Sequence, residues 1–324
     1  MPEWLLADIG GTHTRAACKR PGMPAAQVQV FRNRDYGALG KLLRHYLDST
    51  GLKPQAAALA VASPVEGDEI SLTNLNWTFS IESLRAQLGL DALHVFNDFT
   101  ATALSLPYLD AEVCTQIGAG QPAAGAAVAV LGPGTGLGVS GLIPCGDAWA
   151  PIAGEGGHVT LAAATEEESR LFHLLQPTLG HVSAEKLLSG PGLLQLYRGL
   201  AELRGETAVH AAPEAVTGHA VDGNDPLAAA GLAMFFALLG GFAGDVALTL
   251  GARGGVWLAG GILPGLVEAL RQSEFRRRFA AKGRFNAYLE AIPTYVITDL
   301  HPALVGLGQW LEEHQYGESP VGTR

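Results

Sequence analysis

Two glycine-rich segments of matching composition, DIGGTHTR at Asp8 to Arg15 and LGPGTGLG at Leu131 to Gly138, constrain this chain more than any other feature. Each follows one apolar run and precedes another, so each reads as the bend of a β-hairpin. Glycine lets such a bend pass through positive φ and approach a ligand closely, and successive bare N–H groups form a concavity that suits an anion. Glycine turns also occur in hairpins that bind nothing. Asp8 favours the ligand reading, because it ends the strand-like run WLLAD, where a carboxylate is costly unless a partner or cation compensates it. Magnesium held through water beside phosphates would be such a partner.

At 324 residues the chain exceeds the usual size of one core, so two lobes with a cleft are expected. Charged residues make up 16% and hydrophobic residues 48%, the balance of a well-packed globular protein rather than a disordered one. A formal charge of −10 argues against a nucleic-acid surface, which needs clustered Lys and Arg. The one basic run, Arg276 to Arg278, reads as a solvated helix end. Cys18, Cys114 and Cys145 are widely spaced without a CxxC pattern, so neither a disulfide framework nor a zinc knuckle is supported, and a reducing cytoplasm is expected. WLLA before Asp8 is too short for a signal-peptide core. The uncharged stretch Leu227 to Gly244 approaches the length of a membrane span. Its Ala and Gly content, the lack of flanking Lys or Arg, and Asp245 directly after it favour a buried helix and no membrane partner.

The first hundred residues alternate in period and length. Strands are expected at Trp4 to Asp8, Thr14 to Lys19 and Gln27 to Arg32, a helix at Tyr36 to Leu47, and a strand at Ala56 to Ala62. A helix capped by Ser80 and stopped by Gly89 follows, then a strand at Ala92 to Phe96 and a helix from about Asn97. From Ala126 the pattern restarts with AAVAVL, the second glycine turn, GLGVSGLI and WAPIA, which suggests an internal duplication. Thr165 and Glu168 fit a capping box, and Ser183 caps a helix carrying Glu185. GGVWLAGG at Gly254 to Gly261 reads as a buried strand ending in two glycines, with Pro264 starting a helix. TYVITD at Thr294 to Asp299 is a last strand, and a closing helix begins near Ala303.

Asn97 and Asp98 stand in FNDFTATA at the junction of strand and helix, where open α/β sheets present ligand groups. Either residue can cap the helix. Because one suffices, the pair also suits a general base, Asp98, beside an amide, Asn97, on the vicinal hydroxyls of a polyol. GEGGHVTL and HVSAEKLLSGPG add Glu155, His158, His181 and Glu185, acidic and imidazole groups able to bind sugar hydroxyls. The same ExxH and HxxxE pairs could form a metallohydrolase site, although HExxH is absent and glycines interrupt the first pair. A nucleotide-dependent binding or regulatory protein is a further alternative.

DIGGTHTR, TNLNWTFS, FNDFTA, GPGTGLG, GEGGHV, HVSAEKLLSGPGL, LAGGI and the final HPALVGLG, in this order from Leu5 to about Gly308, make the chain similar to the non-ROK bacterial ATP-dependent glucokinases of the hexokinase, Hsp70 and actin superfamily. The resemblance implies an α/β fold of actin-like ATPase (ribonuclease H-like) type, with duplicated βββαβαβα lobes around a central cleft. It implies a small domain of residues 1–108 plus the C-terminal helix 301–324, a large domain of residues 109–300, and a homodimer. ATP and Mg²⁺ are the implied cofactors and glucose the implied substrate, with kinases for other hexoses as the nearest alternative.

Carried onto this sequence, the family pattern makes Asp98 the base for the sugar 6-hydroxyl. It makes Asn97, Glu155, His158 and Glu185 sugar ligands, with Asn74 and Trp77 lining the same region. Asp8, Gly10, Gly11, Thr12 and His13 correspond to the first phosphate loop, Gly134, Thr135 and Gly136 to the second, and Gly260 and Gly261 to a turn beside the nucleotide. Where the family commonly reads GGTN this chain reads GGTH, which puts His13 in place of a phosphate-positioning asparagine. The cysteine-rich zinc motif of the ROK kinases is absent from the sequence, so no structural metal is expected.

Overall fold

The computed structural model describes residues 2–72, 75–299 and 301–314. The chain divides into two compact units, the described parts of Met1–Asp110 with Asp299–Arg324, and Ala111–Thr298.

In the first unit, β1 (Trp4–Ile9), β2 (His13–Lys19) and β3 (Ala26–Arg32) form an antiparallel meander, followed by α1 (Leu39–Thr50) and β4 (Ala56–Val61). A small hairpin of β5 (Glu69–Leu72) and β6 (Trp77–Ser80) precedes α2 (Ile81–Leu88), β7 (Ala92–Asn97) and α3 (Asp98–Ser105). The main sheet runs β3-β2-β1-β4-β7, with β1, β4 and β7 parallel. Central parallel strands bury both faces, which explains the near-continuous apolar runs WLLADI and AAALAV. Successive residues of β1 serve opposite faces. Leu5 packs with Leu42, Leu43 and Tyr46 of α1 and Leu84 of α2, whereas Trp4 and Leu6 meet Leu304, Leu307 and Leu311 of the C-terminal helix Pro302–Glu313.

Local signals set the helix ends. The Ser80 side chain accepts from Ser83 N, and Gly89 closes α2 in the left-handed conformation. The sequence pattern starts α1 at Tyr36, but Asn33–Asp35 forms a 3₁₀ turn and Tyr36 is extended at φ −127°, ψ 137°, so the helix begins three residues later.

The second unit repeats this plan. It contains β8 (Cys114–Ile117), β9 (Val128–Pro133), β10 (Leu137–Cys145), β11 (Ala148–Ala153), α4 (Glu166–Leu179), α5 (Ala184–Leu187), α6 (Gly190–Arg204), α7 (Pro213–Val221), α8 (Pro226–Leu250), β12 (Gly255–Leu258) and β13 (Thr294–Ile297). Its sheet order, β11-β10-β9-β12-β13-β8, reproduces the first sheet's three-strand meander joined to parallel strands, with β8 added antiparallel at the edge. The duplication suggested by the two glycine turns is therefore present in the strand order.

The apolar helix α8 is long and apolar enough to cross a membrane, and its apolar 18-residue stretch is 78% buried within the protein. Its glycines have a packing role. A Cβ on Gly240 or Gly244 would collide with the carbonyl oxygen of Phe275 or Phe279, so these positions let the helix Phe275–Ala280 lie directly against the backbone of α8.

That helix corrects the reading of Arg276 to Arg278 as a solvated end. Arg278 is 7% exposed and forks onto Glu168 at 2.5 and 3.1 Å. Arg276 lies over the Phe279 ring at 4.7 Å and donates to the Ile292 carbonyl. Only Arg277 is strongly exposed. Composition reports the charges but not the chain segments folded over them.

Candidate active site

Asp8 and the first glycine turn lie at the C-terminal end of β1. Register places Ile9 level with Val61 of β4, and Val61 level with Asn97 of β7. Asn97 and Asp98 therefore share an edge with the turn, two strand spacings or about 10 Å away, at the carboxyl ends of parallel strands where open sheets bind ligands. Gly10 N donates to the His13 carbonyl at 3.0 Å and closes the turn, leaving Gly11 and Thr12 exposed at its tip. His13 opens β2 opposite Arg32 of β3.

The Asp8 carboxylate receives Arg15 Nη1 at 3.1 Å and is only 18% exposed. Burial pushes its carboxyl above the ordinary aspartate value, by more than the Arg15 guanidinium and, more weakly, His301 pull it down. Such a carboxylate gains from a nearby divalent cation.

Asn97 is the N-cap of α3, its Oδ1 accepting from Phe99 N at 2.9 Å and Thr100 N at 3.2 Å. Its Nδ2 makes only a 3.5 Å contact with the Ser63 carbonyl. Capping thus occupies one end of the amide and leaves the donor end with this one long contact among the described residues. Asp98 accepts from Phe99 N at 2.9 Å and is half-buried. Trp77 is buried in the core of the first unit, and Asn74 lies outside the described residues.

In the second unit the structure brings Glu155, His158 and Glu185 together. Glu155 Oε2 is 3.8 Å from His158 Nε2, and Glu185 Oε1 is 3.9 Å from His158 Nδ1. All three side chains remain partly exposed, Glu185 the least at 32%. His181 is not part of this group; its Nε2 is 2.8 Å from Thr160 Oγ1. Among the described residues no cluster of three or more His, Cys, Asp or Glu is arranged to hold a metal ion, so the ExxH and HxxxE pairs do not converge as ligands.

The second glycine turn is braced on both sides. Gly134 N donates to Gly136 O, Gly190 N at the start of α6 donates to Gly134 O, each at 2.8 Å, and Leu137 N donates to Glu185 Oε2 at 3.0 Å. Ala259 N donates to Leu131 O, which sets Gly260 and Gly261 beside the turn. A cavity of about 740 Å³ opens here, floored by Gly134, Thr135 and Gly261 and walled by Pro213, Thr217 and Gly218 of α7. Its size suits a nucleoside. The segment leading into α7 is tied down by His210, whose Nε2 is 2.9 Å from Asp225 Oδ2, while the Asp225 Oδ1 caps α8.

Asn33 is a residue that the sequence motifs do not reveal. It is 1% exposed, donates from Nδ2 to the Gly10 carbonyl at 2.7 Å and accepts from Thr14 Oγ1 at 2.8 Å, while its own N–H donates to Thr12 O at 3.0 Å. It therefore fixes the first turn from behind. A second cavity, of about 800 Å³, adjoins it and is lined by Thr12, His13, Arg32, Arg34 and Trp77.

The glucokinase family model matches residues 5–314. The glucokinase of Paramagnetospirillum magneticum is 50% identical over 306 residues, covering 94% of this chain and 95% of that protein. The crystal structure of a glucokinase from an Antarctic psychrotroph superposes with a TM-score of 0.89 at 36% identity, covering 97% of this chain and 99% of that one. A ROK family glucokinase from Streptomyces griseus, solved with glucose and AMPPNP, shares the fold at a TM-score of 0.64 and 16% identity, covering 95% of this chain and 98% of that one. These neighbours share the α/β architecture of the actin-like ATPases, and the chain belongs to the glucokinase family.

Proposed function

We propose that this chain transfers the γ-phosphoryl group of ATP to the 6-hydroxyl of glucose, with Asp98 as the general base. Family membership supports a glucose kinase that uses ATP. The observation that carries the assignment of the base is the placement of Asp98 at the carboxyl end of β7, on the same sheet edge as the Asp8 turn.

In this reading the Asp98 carboxylate takes the proton of the 6-hydroxyl as that oxygen bonds to the γ-phosphorus. The bond from the γ-phosphorus to its bridging oxygen breaks, ADP leaves, and the proton passes from Asp98 to solvent. Asn97 is read as a sugar ligand through its amide donor, and Glu155, His158 and Glu185 are read as sugar ligands because carboxylates and an imidazole suit vicinal hydroxyls. Asn74 remains a candidate ligand. Gly10, Gly11, Thr12 and His13 serve one phosphate turn, Gly134, Thr135 and Gly136 the other, and the cavity floored by Gly261 and walled by α7 takes the adenosine, with Gly260 beside it. The buried, oxygen-donor character of Asp8 fits a role in holding Mg²⁺ through water, and the ion would supply charge neutralisation to the phosphates. Three widely spaced cysteines supply no cysteine-rich zinc motif, which supports the non-ROK branch, and a cytoplasmic homodimer completes the proposal.

ADP release from Mg·ATP, with and without glucose, mannose or fructose, tests this directly. Glucose should stimulate release, and Asp98→Ala should lower the stimulated rate by at least about 10²-fold. A folded wild-type protein that binds ATP but responds to no sugar would refute the assignment.

A further inference from the structure

We infer that Gly136 and the Leu137 amide, although they belong to the second glycine turn, are positioning groups for the Glu185 carboxylate, so that one position of a nucleotide-type motif sets affinity for the sugar. The inference rests on the reading of Glu185 as a sugar ligand.

Glu185 is the second residue of α5, a four-residue helix capped by Ser183. Its carboxylate has two different surroundings. Oε2 accepts from Leu137 N at 3.0 Å, and Oε1 points to the His158 side, 3.9 Å from Nδ1, in a side chain that is 32% exposed. A hydrogen bond from a backbone amide to a carboxyl oxygen is directional. It fixes one oxygen and leaves the other turned outward, so a sugar hydroxyl meets an acceptor whose rotamer is already chosen.

Gly136 is what permits this contact. A Cβ there would lie 2.5 Å from Glu185 Oε2 and 3.3 Å from its Cδ. Gly136 is not among the residues with positive φ, so space rather than conformational freedom demands glycine. Gly134, two residues earlier in the same turn, has nothing within 4 Å of the corresponding position. A Cβ at Gly134 would project into the open side where a phosphate would sit, whereas a Cβ at Gly136 would displace Glu185. The two glycines of one motif therefore face different substrates. The Glu185 contact also withdraws the Leu137 amide from anion binding, leaving the Thr135 and Gly136 amides for phosphate.

The test is a double-mutant cycle read in the KM for glucose and the KM for MgATP. Gly136→Ala should raise the glucose KM at least about tenfold, the scale of a lost interaction with a substrate hydroxyl, with the larger relative change in glucose rather than MgATP. Gly134→Ala should show the reverse split. In the Glu185→Ala background, adding Gly136→Ala should change the glucose KM no further. Additive effects, or a Gly136→Ala variant impaired mainly for MgATP, would overturn the inference. If Gly136→Ala does not fold alone, the double variant decides, because Glu185→Ala removes the collision. Recovery of folding with the kinetics of Glu185→Ala supports the proposal, and no recovery refutes it. A normal glucose KM in Glu185→Ala itself would instead show that Glu185 is not a sugar ligand, which removes the foundation rather than the geometry.

Discussion

Arg15 Nη1 donates to Asp8 Oδ2 at 3.1 Å from the position directly opposite on β2, so the carboxylate at the first glycine turn is held by its own hairpin. The guanidinium only partly offsets burial, and the Asp8 carboxyl remains above its ordinary value. A carboxyl whose folded pKa is raised favours the native state when protonated, and that contribution is lost as pH rises through the raised pKa. Asp8→Asn should therefore raise the Tm of the ligand-free protein at neutral pH. The gain should fade on acidification and vanish below about pH 4, the unperturbed aspartate value. The same variant should lose about 10- to 100-fold in activity at limiting MgATP, the scale for removing an outer-sphere metal partner. Thermal scans from pH 4 to 8 and MgATP titrations check both halves. A lower Tm at neutral pH would show that the Arg15 contact outweighs the burial penalty.

Asp225 joins three elements. Its Oδ1 accepts from Leu227 N and Ala228 N at the head of α8, and its Oδ2 meets His210 Nε2 at 2.9 Å and Tyr197 Oη at 3.3 Å. The His210 segment leads into α7, the wall of the nucleoside-sized cavity. Asp225→Ala should cost about 0.5–2 kcal/mol from the lost cap and raise the MgATP KM through movement of α7, with the glucose KM little affected. Tyr197→Phe keeps the cap and the histidine contact, so its effect should be smaller. Denaturant unfolding and two-substrate kinetics separate these contributions.

What could be read from the chain was local. Ser80 and Gly89 at opposite ends of α2, Thr165 with Glu168, and Ser183 before Glu185 each bond backbone groups no more than about one turn away, and each forms the predicted cap. The glycine turns were legible because their flanking strands pair with each other in register. The actin-like class came from the ordered motifs rather than from periodicity. Non-local relationships were hidden. Asn33 stands in the charged run FRNRDY and looks like a loop residue, yet it bonds 23 positions back to Gly10. The edge strand β8 pairs with β13, far along the chain, and its sequence CTQI has little apolar alternation.

Glu168 shows the same limit within one side chain. Its capping of α4 is visible in the sequence, whereas its fork with Arg278 spans 110 positions. Burial alone would raise its carboxyl, but Arg278 and the Ala164 and Thr165 amides together outweigh burial and hold it below the ordinary glutamate value. Arg278→Ala should destabilise the protein by about 3–5 kcal/mol, since it leaves a buried carboxylate without its counter-charge. A depressed folded pKa gives stability that is present above the unfolded value and lost as pH falls through the folded one. The wild type should therefore lose stability progressively below about pH 4.3, the unperturbed glutamate value, with a shallower acid slope in Glu168→Gln. Equal slopes in the two proteins would assign the acid limb to other groups.

Asn33 offers the sharpest test of whether the first turn must be held from behind. Its side chain joins the Gly10 carbonyl to the Thr14 hydroxyl, and Thr14 is fully buried, so that hydroxyl cannot turn to bulk water when the amide is removed. Asn33→Ala should cost about 1–3 kcal/mol for each group left unsatisfied. Asn33→Asp retains an acceptor for Thr14 but sets a carboxylate oxygen against the Gly10 carbonyl, so it should loosen the turn specifically. The expected signature of Asn33→Asp is a raised MgATP KM and a reduced kcat, with glucose binding in the absence of nucleotide unchanged. If both variants lowered Tm while leaving the MgATP KM at its wild-type value, Asn33 would be a packing residue, and the turn would hold its shape through its own backbone bond from Gly10 N to His13 O.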